Sequence, residues 1–160
     1  MLPIRLMAAA AGTGRVGIVF LIGHELKDWV VSDRAAEGPE AAAVVATDWI
    51  KRLAPTVFVT ETADGSPRKG ETAKSLVAAM AEVARTRGCL MLTERRSLAE
   101  RTKHDAAAGL AERYPELAQW LPKPRKIYDA EPWNIVLFEA LELAEAALRR
   151  PTTGLARALD

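Results

Sequence analysis

Cysteine is nearly absent from this chain of 160 residues; Cys89 is its single one. That excludes an internal disulfide and any cysteine-based zinc site. Cys89 lies in an apolar run, the setting of a buried structural thiol. Histidine is almost as scarce, with His24 in a hairpin turn and His104 at a helix start beside Asp105. Neither has the nitrogen or sulfur neighbours that zinc needs. Net charge is also close to nil, at +1. Any surface for a polyanion must therefore be local rather than global. No apolar run reaches the ~18 residues of a membrane span, so none is expected. The N-terminus has no charged segment followed by a long apolar one, so secretion is not expected and a cytoplasmic location is. Ser66 and Ser97 lack the surroundings of a nucleophile elbow, which removes a hydrolase triad. No internal repeat is visible.

What is present is an ordinary globular composition, 49% hydrophobic and 27% charged. The length suits one domain, expected over residues 1–150, with a loose tail at 151–160. The order of patterns is β-β-β-α-β-α-β-α-α. Residues 3–10 read as a strand, and 16–22 with 25–33 as a hairpin pair. A helix starts at Glu37-Gly38-Pro39-Glu40, carries Ala42, Val45, Trp49 and Leu53 on one stripe, and stops at Pro55. Trp49, like Trp133 further on, reads as a core or dimer contact. Thr56 to Thr60 is a β-rich run, and Glu71 to Arg87 a helix closed by Gly88. A short strand at 89–92 and helices near 103–113 and 132–149 complete the chain. A strand meander followed by alternation with helices gives an α/β fold, a mixed sheet flanked by α-helices on both faces.

Gly12-Thr13-Gly14-Arg15-Val16-Gly17 has the spelling of a dinucleotide-binding turn. That turn needs a helix after it to receive the pyrophosphate. Here β-branched and aromatic runs follow, so a hairpin is expected and no nucleotide cofactor.

Carboxylates recur where such a fold brings elements together. Glu61 closes the best strand, just before the turn at Asp64-Gly65, and strand ends in open sheets are where sites form. Glu139 and Glu142 are three apart on one helix face, among apolar neighbours. The alternative for each is a solvated strand end or an outward helix position. Asp129 and Glu131 stand where a helix start takes a cap or a dipole partner. A basic stretch carries Arg95, Arg96, Arg101, Lys103, Lys123, Arg125 and Lys126, with Trp120 and Tyr128 at its end. Such a run either tracks a phosphate backbone, with its aromatics stacking on bases, or is simply a solvated face.

These motifs together resemble the RNase H-like superfamily, and within it the RuvC-type Holliday-junction resolvases. Ala10-Ala11-Gly12-Thr13 takes the place of that group's D-P-G-S/T. Thr60-Glu61-Thr62 is similar to its I/V-E strand end. Lys103-His104-Asp105-Ala106-Ala107 is similar to its lysine-containing helix start, and Glu139 to Ala144 to its D-A-A-D-A-L-A helix. The resemblance implies a homodimeric endonuclease that cuts branched DNA with Mg²⁺ or Mn²⁺. It places Glu61 and Glu139 as catalytic metal ligands, with Glu142 as a third, and puts the missing first Asp at Ala10. It implies phosphate contacts for Lys103 and its basic neighbours. An alanine at that position suits either a protein that keeps the fold only to bind or scaffold nucleic acid, or an engineered Asp→Ala change. A sister group, the YqgF-type proteins of ribosomal-RNA maturation, is also similar. Its G-T-K-R-I-G turn matches Gly12 to Gly17 and its D-E-R-L-T/S matches Thr93 to Leu98. That mapping implies RNA as ligand and Glu94 as a metal ligand.

Overall fold

The computed structural model describes residues 3–12, 14–62, 70–95, 103–121 and 135–149, with side chains in the fourth segment from Asp105 on. Five strands form one mixed sheet in the order β3-β2-β1-β4-β5. They are β1 Arg5–Gly12, β2 Arg15–Ile22, β3 Glu25–Ser32, β4 Val57–Glu61 and β5 Leu90–Glu94. β1, β2 and β3 are antiparallel neighbours, while β4 runs parallel to β1 and β5 parallel to β4.

Alternation along these strands makes two cores. Leu6, Ala8, Ala10, Val57 and Val59 face α3 (Lys103–Arg113) and α4 (Ile135–Leu148). Met7, Ala9, Ala11, Ile18 and Phe58 face α1 (Pro39–Leu53) and α2 (Glu71–Thr86). Ala8 to Ala11 are poor strand formers, yet all four are buried in β1. Tertiary pairing on both sides overrides local propensity there.

The expected order of elements holds, with shifts at their edges. The first strand starts at Arg5 and runs on to Gly12, because β2 pairs with it along its whole length. The last strand continues past Leu92, because Thr93 and Glu94 register against Thr60 and Glu61. A 3-10 turn at Arg34–Glu37 precedes α1, whose first residue is Pro39, a position that needs no N–H. A second 3-10 turn, Pro115–Trp120, follows α3 and has no counterpart in the sequence reading. Within it Leu117 is fully buried.

The Gly-rich turn is a β-hairpin, with Gly14 at φ 73° in the left-handed region. Gly17 sits in β2 for another reason: a Cβ there would overlap the Val136 carbonyl and lie 2.7 Å from the Leu137 nitrogen. At Gly12 it would lie 2.8 Å from Val136 Cγ1. The two glycines let the start of α4 rest directly on the hairpin. No helix among the described residues is long and apolar enough to cross a membrane.

Candidate acidic site at the strand ends

The site follows from the alternation just described. Glu61 continues the Val57, Val59 series, and Glu94 the Leu90, Leu92 series, so both carboxylates leave the sheet on the α4 side. They are register partners on neighbouring strands, and Thr62 N–H donates to the Glu94 carbonyl at 3.0 Å just beyond. Two like charges side by side are destabilising unless other charges answer them. Ala10 ends the Leu6, Ala8 series on β1, the strand beside β4. It is 3% exposed and pairs with Gly17, on which α4 rests.

From that anchor α4 carries the remaining carboxylates. Glu139 lies one turn beyond Val136 on the same face, and Glu142 one turn further. Glu139 is 3% exposed and Glu142 8%. Oε1 of Glu61 and Oε2 of Glu139 are closed off from solvent. Carboxylates are rarely this buried without partners, since desolvation penalises the charge. The outward, solvated alternative for Glu139 and Glu142 is therefore overturned. Glu145, by contrast, forms a two-pronged ion pair with Arg113, at 2.9 and 2.8 Å. It fastens α3 to α4. Beside it, burial and then the nearby Glu145 carboxylate push the Tyr114 hydroxyl up to about 12.

A two-ion nuclease centre needs three or four carboxylates converging on hard cations. Among the described residues no three acidic, histidine or cysteine side chains come together closely enough to hold an ion. A methyl group stands at the β1 position between the two acidic elements. Among the described residues the donor set does not fit a resident metal pair.

Of the basic residues, Arg95 is exposed directly after β5. Lys103 opens α3. Arg96, Arg101, Lys123, Arg125 and Lys126 lie outside the described residues, as do Tyr128, Asp129, Glu131 and Trp133. Trp120 packs edge-on against Trp29, centroids 5.6 Å apart at 81°, at the margin of the α4-side core. Its packing is that of a core aromatic. Trp49 is likewise buried in the other core. His24 is exposed at the turn after β2, as expected. Sequence reading reached Glu94 only through the second resemblance; the register that sets it beside Glu61 could not be read from a run of four apolar residues.

No protein-family model and no curated protein matches the sequence. Among solved structures the chain is similar to Thermus thermophilus RuvC, with 13% identity, a TM-score of 0.60, and 96% of this chain and 97% of that one covered. It is similar also to T. thermophilus RuvC in complex with a Holliday junction substrate. There identity is 13%, the TM-score 0.55, and coverage 95% and 96%. At such identity the likeness is one of fold: the chain has the RuvC-type RNase H-like fold.

Proposed function

We propose that this chain binds branched DNA at the open strand ends, and that its carboxylates are the remainder of a divalent-metal endonuclease site. The single observation that carries this reading is the burial of Glu139 and Glu142 on α4, one and two turns from the contact with Gly17. Those residues and Glu61 would be the Mg²⁺ or Mn²⁺ ligands of an active relative, and Ala10 occupies the place of the missing bridge. With no third ligand assembled among the described residues, no cleavage step is assigned to the chain as it stands. Its function is then recognition: Arg95, Arg96, Arg101, Lys103, Lys123, Arg125 and Lys126 hold phosphates. Two copies related by a two-fold axis would suit the symmetry of a four-way junction.

The test is a gel-shift titration at fixed salt, without divalent metal, on four-way junction, linear duplex and RNA hairpin. Tighter binding to the junction than to the duplex is expected. Equal affinity for the two would leave only a non-specific polyanion binder.

One observation favours a second reading. Glu94 stands opposite Glu61, which suits the ribosomal-RNA type, where Glu94 replaces a ligand. Preference for the RNA hairpin in the same titration would select it.

A further inference from the structure

On the other side of the sheet lies a cavity of about 360 Å³ that the acidic site does not explain. Its place follows from topology. β4 leads into α2, on one face, while its parallel neighbour β5 leads into α3, on the opposite face. The two helices lie on opposite faces, and open sheets bind ligands in the crevice beyond such a switch point. The cavity is within the ~300–1,000 Å³ range of small-molecule sites.

The lining is specific. Ala9 and Ala11 form the sheet wall and Val77 part of the helix wall, so small apolar groups line both sides of the space. Thr60 projects from the sheet wall, following Phe58 onto the α2 side. It is 6% exposed, and among the described residues no hydrogen bond reaches its hydroxyl. Thr62 lines the same wall, with its Oγ1 buried and, among the described residues, lacking a hydrogen-bond partner. A buried hydroxyl in the state of Thr62's costs free energy that a polar ligand edge would remove. Lys74, exposed on α2, supplies a cation to the lining. Ala10 and Glu61 belong to this lining as well as to the acidic site, so the two share a wall.

We infer that this cavity takes one unstacked nucleotide of the bound nucleic acid, its base between the sheet and α2 and its phosphate toward Lys74. The inference rests on the proposed binding of branched nucleic acid. A strand whose backbone crosses the strand ends at Glu61 has a neighbouring base within reach of the shared wall. Apolar walls accept the faces of any base, and a threonine hydroxyl both donates and accepts, so it suits either kind of base edge. Branch points supply bases whose stacking is already interrupted, which lowers the cost of turning one out.

Two probes test this on the full chain. The first is deoxyadenosine monophosphate alone, followed by methyl NMR at Thr60, Val77 and Ala81. Saturable shifts confined to these methyls are expected, and their loss in Ala73→Leu, which fills the cavity, and in Thr60→Val, which removes only the hydroxyl. The second is a four-way junction carrying 2-aminopurine at its branch point, with binding followed separately by gel shift. Brightening on binding is expected with the unsubstituted chain and not with either variant. A junction that binds with no brightening, or with brightening unchanged in both variants, overturns the nucleotide site while leaving the proposed function standing. A junction that does not bind removes the proposed function. Absence of the nucleotide shifts then overturns the cavity's role as well, and their presence upholds it independently.

Discussion

The two faces of one sheet are built from the same alternating strands, yet they carry different helices. On one face α4 buries eleven of its fourteen residues, Glu139 and Glu142 among them. On the other, α2 buries three of sixteen, Leu76, Met80 and Ala84, and its alanines line the space beside them. A helix enclosed on nearly all sides has no solvent face on which to place a charge by default. Glu139 and Glu142 are therefore built into the interior. Where small residues of a helix face small residues of a sheet, space is left, and here the space is a cavity with hydroxyls in its wall.

Substitutions can break or sharpen this contrast. Gly17→Val should have the largest effect, because the new side chain would occupy the Val136 backbone. A loss of about 4 kcal/mol or more is expected in denaturant unfolding. A loss below ~1 kcal/mol would mean that α4 does not rest on β2. Leu141→Ala on the enclosed face should cost about 3 kcal/mol. Val77→Ala on the open face should cost under ~1 kcal/mol, since its side chain is only partly buried and borders the cavity. Equal costs would erase the difference between the faces.

A pH titration adds a gentler probe of the α4 side. The Tyr114 hydroxyl is raised from 10.0 to about 12, so the folded state favours its neutral form. That contribution is complete below pH ~10, the unfolded value, and is lost as pH climbs through about 12. Stability should thus fall across this alkaline window, and less steeply in Tyr114→Phe. An identical fall in the two proteins would remove Tyr114 as its source. The smallest effect belongs to Arg95→Ala, which should lower the salt dependence of junction binding by about one phosphate contact and leave stability alone.

Much of the fold was legible in the sequence, and the reasons are local. The β-branched runs around Gly23-His24 named a hairpin, and the stripe from Ala42 to Leu53 named α1. Glu139 and Glu142 stood out because carboxylates were embedded in an apolar helix. What was not legible depends on contacts between distant segments. Gly17 reads as part of a turn motif, yet its smallness serves Val136, far along the chain. Glu94 gains meaning only from its register with Glu61. The 3-10 turn at Pro115–Trp120 is held by burial of Leu117 and the Trp29 contact rather than by any local pattern. The cavity exists because alanines from β1 and α2 meet, and an alanine in isolation announces nothing.

The most direct test of the central claim compares this chain with Ala10→Asp on labelled four-way junction in Mn²⁺. The account predicts that the two bind alike and that only the Asp variant cuts, with Glu61→Gln abolishing that cutting. Cleavage by the unsubstituted chain would contradict it. So would an Asp variant that binds the junction, takes up no Mn²⁺ and leaves the DNA intact.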